Sequence, residues 1–246
     1  MDVSTVIWLT LALGAGAISK GATGLGLPLI ALPLLTAAFG LQQAIGIMLI
    51  PIIITNAYQI WTYRAARELP GLAFVPSFLG LGAVGIGLGT WALDSLPERM
   101  LEIGLGAMLL AYVLLRLARP GFVLSAQTGR RIGPVAGLLA GTLQGATGIA
   151  APIGVTFIHA LGLERRASVF AVSVMFLGFA LVQLPALVVA GIYEPGWLWL
   201  GLFACIPIAV FLPMGEWLGR ISSQRVFDLM ILGFLTLAGA RMVIGL

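Results

Sequence analysis

Gly21-Ala22-Thr23-Gly24 returns as Gly145-Ala146-Thr147-Gly148, 124 residues further along a chain of 246. Each copy has a proline seven residues after its first glycine, Pro28 and Pro152, and each interrupts an apolar stretch. Breaking a helix in hydrocarbon frees backbone N–H and C=O groups, each costing several kcal/mol if left bare. Such breaks persist only where protein, a wet cavity or a ligand satisfies those groups. A chain that does this once per half is constrained to a two-fold repeated architecture in which the breaks serve a purpose.

Ten apolar segments surround the breaks. In the first half they run Val3–Ser19, Leu25–Phe39, Ala44–Tyr63, Leu72–Leu93 and Met100–Leu117. In the second half they run Pro134–Leu143, Ile149–Leu161, Ala167–Ile192, Trp197–Leu218 and Val226–Ile244. Only 9% of the residues are charged, whereas a soluble domain carries about 25%, so water is not the main solvent. Segments near ~20 residues match a ~30 Å hydrocarbon core. The expected fold is an all-α polytopic membrane protein with roughly 8–10 membrane segments, its helices broken or re-entrant at the two tetrapeptides. It would form a single transmembrane transport domain over 1–246: repeat 1 at 3–118, a basic, turn-rich linker at 119–132, and repeat 2 at 133–246. The start, Met1-Asp2-Val3, has no basic n-region, so no cleaved signal peptide is expected. The expected location is the cell (plasma) membrane, the inner membrane in a bacterium, as a multi-pass protein.

Further blocks repeat in order. Gly40-Leu41 answers Gly162-Leu163, and Pro70-Gly71 answers Pro195-Gly196. Gly89-Thr90-Trp91 answers Gly215-Glu216-Trp217, and Arg99-Met100-Leu101-Glu102 answers Arg225-Val226-Phe227-Asp228. Loop charges set the orientation of each copy. Arg64 and Arg67 make one loop basic where its counterpart around Glu194 has no basic residue. The loop with Asp94, Glu98 and Glu102 against Arg99 is acidic, whereas its counterpart with Arg220 and Arg225 against Asp228 is basic. Arg165-Arg166 answer the uncharged Gln42-Gln43. Basic loops stay cytoplasmic, so equivalent loops fall on opposite sides and the repeats are inverted. Both termini then lie outside, and the central linker with Arg116, Arg119, Arg130 and Arg131 lies in the cytoplasm. Trp197 and Trp199 beside Glu194 suit the outer interfacial belt.

The glycines permit unusual dihedrals, and each proline fits the first turn of a following helix. Half-helices starting near Leu25 and Ile149 would aim their N-termini at the membrane midplane from opposite leaflets. Each would bring about half a positive charge and free N–H donors, a site for an anion. Lys20, the only lysine in the chain, directly precedes the first tetrapeptide, and its counterpart is Gln144. An ionisable group at that depth points to function; the plain alternative is a lysine snorkelling to an interface. The candidate substrate-binding residues are Lys20, Gly21, Ala22, Thr23 and Gly24, then Gln144, Gly145, Ala146, Thr147 and Gly148, with Asn56, Gln59 and Gln183 from neighbouring segments. Thr23 and Thr147 could instead simply cap helices, and the three carboxamides could simply tie helices together. His159 lies close to the loop ending at Arg165, which favours an interfacial role. Glu216 is expected to pair with Arg220. Gly80, Gly82, Gly85, Gly87 and Gly89 are read as close helix packing.

Over nearly its whole length, with Gly21 to Gly26 before Pro28 and Gly145 to Gly148 before Pro152, the chain resembles the sulfite exporter TauE/SafE family of membrane transporters. The family's glycine run is usually longer than Gly24-Leu25-Gly26-Leu27, and the second copy here reads Ile149-Ala150-Ala151. The resemblance implies movement of sulfur-containing oxyanions, such as sulfite, sulfoacetate and other organosulfonates, often outward. The residues by themselves support a small anion as substrate and the lipid bilayer as the other partner. An exporter of amino acids or other small metabolites, resembling the drug/metabolite transporter superfamily, is the alternative. Arginines spread over segment ends do not form a nucleic-acid face. One cysteine, one histidine and no buried acidic pair speak against an intramembrane enzyme, a thiolate metal centre or any cofactor site. The identity of the anion, the direction of transport, proton coupling and oligomeric state, a homodimer included, stay open in the sequence.

Overall fold

The computed structural model describes residues 3–24, 26–118, 123–221 and 224–245. Met1, Asp2, Leu25 and Arg119 lie outside the described residues, as do the side chains of Arg225 and Asp228. Among the described residues the chain forms ten α-helices and no strand. They are α1 (Val3–Thr23), α2 (Leu27–Phe39), α3 (Leu41–Thr62), α4 (Val75–Ser95), α5 (Glu98–Ala118), α6 (Ala126–Thr147), α7 (Ala151–Ala160), α8 (Arg165–Val189), α9 (Pro195–Ile221) and α10 (Gln224–Ile244). Two 3₁₀ turns, Arg64–Glu68 and Leu72–Phe74, join α3 to α4. Six helical stretches among the described residues are long and apolar enough to cross a membrane. Helices are what such a solvent demands, since each backbone group is satisfied inside its own segment.

Helices α2 and α7, with 13 and 10 residues, measure about 20 and 15 Å at 1.5 Å per residue. Neither crosses a ~30 Å core by itself. Each instead folds back along its predecessor. Gly16 of α1 lies against Leu27 and Ala31 of α2, while Ser19 lies against Gly26. Likewise Gly154 of α7 lies near Ala140 of α6, and Gly129 of α6 against Leu161. Both tetrapeptides therefore sit at the tips of helical hairpins. Helix α6 begins at Ala126, eight residues before the apolar segment expected from Pro134. Ser125 caps it, its Oγ accepting from the Thr128 N–H at 3.1 Å. Arg130 and Arg131 thus belong to a helix rather than to the linker.

The chain divides into two compact units, and neither unit is a sequence repeat. The first comprises Met1–Pro51, Pro97–Leu115 and Tyr193–Leu246, and the second Ile52–Leu96 and Arg116–Ile192. In the first unit α1 packs on α9 and on α2. Leu41 N–H, at the start of α3, donates to Glu98 Oε1 at 2.7 Å, a carboxylate placed at a helix N-terminus. Arg99 donates to the carbonyls of Met242 and Val243 at 2.6 and 2.9 Å, tying α5 to the end of α10. Trp197 is buried, with its ring against Gly46. It therefore does not belong to the lipid-facing belt, whereas Trp199 is 71% exposed. No ion pair joins Glu216 to Arg220 among the described residues; the described pairs are Arg67–Glu68 and Arg99–Glu102.

In the second unit α4 packs on α6 and on α8, and α7 on α6 and α8. Phe74, Phe78, Phe157 and Phe179 form its aromatic centre, ring centroids 5.4–6.0 Å apart. Hydrocarbon gives helices no hydrophobic reason to associate, so close approach depends on small residues. On α4 the glycines that meet a neighbour are Gly82, Gly85 and Gly89; Gly80 and Gly87 face open space. The packing stripe has the helical rhythm of three and four, not the rhythm of two seen in the sequence.

Candidate functional site

The first glycine of each tetrapeptide is a crossing point. A methyl group at Gly21 would stand 2.7 Å from the Glu216 backbone nitrogen and 2.9 Å from the Gly215 carbonyl carbon. One at Gly145 would stand 2.9 Å from Gly89 Cα and from the Thr90 nitrogen. Ala22 lies under Gly219, and Ala146 under Gly89, in the same two crossings. Gly21-Gly215 and Gly145-Gly89 thus join the repeated blocks of one half to those of the other. The sequence displays all four blocks but not that they touch. The tetrapeptides form the last turns of α1 and α6, and the helices that follow begin two residues later than expected, at Leu27 and Ala151.

At the first break Thr23 Oγ1 donates to the Ser19 carbonyl at 2.8 Å, and Gly24 N–H to the Lys20 carbonyl at 2.7 Å. Gly24 and Gly26 take positive φ, 78° and 109°, where a side chain would be strained. Gly26 is the N-cap of α2, Pro28 sits in its first turn, and no side chain caps it. By helix geometry the N–H groups of Gly26, Leu27 and Leu29 have no partner inside α2, and Pro28 has none to offer. Lys20 is 5% exposed, so its ammonium is held within protein and does not snorkel to an interface. It lies in the last turn of α1, where the helix end favours a cation.

The second break is more nearly self-contained. Thr147 Oγ1 donates to the Leu143 carbonyl at 2.7 Å and accepts from Ile149 N–H at 3.4 Å. Gly148, with φ 74°, closes α6 by donating to the Gln144 carbonyl at 2.7 Å. Gln144 Nε2 donates to Gln183 Oε1, and Gln183 Nε2 donates back to the Gln144 carbonyl, both at 2.9 Å. This reciprocal pair pins the tip of α6 to α8. Gln144 Oε1 and, on α4, Thr90 Oγ1 are buried with no hydrogen-bond partner among the described residues.

Not all the polar candidates gather there. Gln59 Oε1 accepts from Ser173 Oγ at 3.1 Å, linking α3 to α8. Ser173 and Gln183 are ten residues apart on α8, about 15 Å along the axis. Asn56 Nδ2 donates to the Ile52 carbonyl of its own helix at 2.8 Å. His159 is exposed near the far end of α7 from the break. Ser19, Thr90 and Ser173 were not singled out by sequence; the available signal was a hydroxyl beside Lys20 and another inside a repeated block. A cavity of about 540 Å³ between α2, α5 and α10 is lined by Thr36, Arg99, Glu102, Phe234 and Arg241. Thr36 stands nine residues along α2 from its start, so this cavity is not the break.

Helices without strands, long apolar spans and two glycine-bent hairpins define a polytopic membrane protein with a buried lysine beside a helix break. The chain belongs to the sulfite exporter TauE/SafE family, which matches residues 8–242. It is a multi-pass integral membrane protein of that transporter family. No curated protein matches the chain, and no solved structure does.

Proposed function

We propose that this chain is a secondary transporter of small anions, with sulfur oxyanions such as sulfite, sulfoacetate and other organosulfonates as its substrates, and that it works by alternating access. The observation that carries this reading is Lys20, buried by protein in the last turn before a helix whose N-terminus no side chain caps. One ammonium and the roughly half charge of a helix end favour a small anion with one or two negative charges. Depth supports it as well. Gly40, at the far end of α2, lies beside Glu98 at the start of α5, and α2 measures about 20 Å. The break therefore falls well inside a ~30 Å hydrocarbon layer.

The sequence contains no nucleotide-binding motif, so the driving force is the anion gradient, the membrane potential or protons. A membrane negative inside favours loss of a monoanion by ~2.3 kcal/mol per 100 mV, so we assign export as the direction. The test is uptake of labelled sulfite into proteoliposomes, with sulfoacetate and amino acids as competitors. Lys20→Gln is expected to raise the sulfite KM at least about tenfold, the weight of one charge-assisted hydrogen bond, with an unchanged elution profile. Equal flux in the variant would remove Lys20 from the site, and competition by amino acids alone would replace the substrate class.

A further inference from the structure

The two breaks share a tetrapeptide but differ in chemistry, and we infer that the oxyanion is held at the first of them, with the Ser19 hydroxyl as its side-chain ligand. This deepens the transport reading and rests on it.

Ser19 is 3% exposed, and its Oγ has no hydrogen-bond partner among the described residues. Serine and threonine inside a helix ordinarily turn the hydroxyl back to the carbonyl four residues earlier. Thr23, Thr142, Thr147 and Ser173 all do so here. Ser19 does not. Its Oγ lies 2.7 Å from where a Cβ on Gly26 would stand, so it faces the N-cap of α2. A buried hydroxyl without a partner is costly, and this one is aimed at the uncapped start of a 13-residue helix. A ligand with acceptor oxygens would satisfy the hydroxyl and the first-turn N–H groups together. Gly26 keeps the approach bare: any side chain there would be strained at φ 109° and would collide with Ser19.

The second break shares the uncapped helix start but differs in the residues around it. At the repeat offset of 124, Leu143 replaces Ser19, Gln144 replaces Lys20 and Ala150 replaces Gly26. Ala150 has φ −91°, and Gln144 is engaged with Gln183. The Ile149 N–H is already taken by Thr147 Oγ1. Two polar atoms are left over at this break among the described residues: Thr90 Oγ1, on the neighbouring α4, and Gln144 Oε1, an acceptor that repels the oxygens of an oxyanion.

Full-length protein in detergent, titrated with sodium sulfite and followed by thermal unfolding, tests the assignment together with sulfite flux in proteoliposomes. Ser19→Ala is expected to leave the sulfite-free Tm unchanged or slightly raised, because it removes an unsatisfied buried group. It should also shrink the sulfite-induced Tm shift and raise the sulfite KM roughly tenfold with kcat within twofold. An equal sulfite shift in wild type and Ser19→Ala overturns the assignment and leaves the transport reading intact. A sulfite-free Tm lowered by several degrees would make the hydroxyl a structural bond and overturn it too. Absence of any sulfite shift or flux in the wild type would sink the substrate reading, and this assignment with it.

Discussion

Gly87 and Gly89 stand two positions apart on α4, yet an added methyl group meets opposite surroundings at the two. At Gly89 it would lie 2.6 Å from the Ala146 nitrogen and 2.8 Å from Gly145 Cα; at Gly87 nothing stands within 4 Å. Backbone cannot give way as a side chain can, so Gly89→Ala should destabilise by about 1–3 kcal/mol. Gly87→Ala should leave the Tm in detergent unchanged or slightly higher. Equal effects would mean that the α4–α6 crossing is looser than described. At this scale the sequence exposes chemistry better than contact. Lys20 stands out as the only lysine, at a depth where charge is expensive. Ser19 does not, because a serine in an apolar helix usually satisfies itself, and only the fold reveals that this one has not. The repeated glycines are equally plain in the sequence, but the pairing of Gly145 with Gly89 depends on which helices become neighbours.

The helices α1, α2, α6 and α7 were legible as apolar runs interrupted by glycine. Their ends were less so. The first turns of α6 carry Gln127, Thr128, Arg130 and Arg131, so hydropathy places the start at Pro134, although Ser125 is a good N-cap. The two tetrapeptides read as breaks between segments but form the last turns of the preceding helices, which glycine at positive φ then ends. The Gln144–Gln183 pair joins two of these elements and gives a prediction about them. Gln183→Leu strands Gln144 Nε2, while the Gln144 carbonyl keeps its bond from Gly148 N–H, and should cost about 1–3 kcal/mol. Replacing both glutamines by leucine should recover part of that loss, because no polar amide then remains buried without a partner. A double-mutant cycle of unfolding in detergent measures it. Additive losses would show that the two amides act independently.

Orientation belongs to the whole molecule. The loop charges assign Arg67 to the cytoplasmic side and Glu194 to the opposite side, although the two loops are equivalent in the repeat. Cys205 is the sole cysteine. Its thiol donates to the Gly201 carbonyl at 3.4 Å, a bond that Cys205→Ser can keep, so a thiol-free background is within reach. In it, Arg67→Cys should react with an impermeant maleimide only after the membrane is opened, and Glu194→Cys in intact cells. Labelling of both from one side would remove the inversion. The division into two compact units could not be read from the sequence, which suggests a split at the midpoint.

That division bears on how the two halves of the sequence fold. Gly21 of the first half needs α9 of the second, and Gly145 of the second half needs α4 of the first, so a gene encoding only one half would make a subunit with its best-fitted surfaces unmet. Such a subunit could mature only by trading helices with a sister molecule. Residues 1–118 made without the remainder of the chain are therefore expected to give no folded monomer.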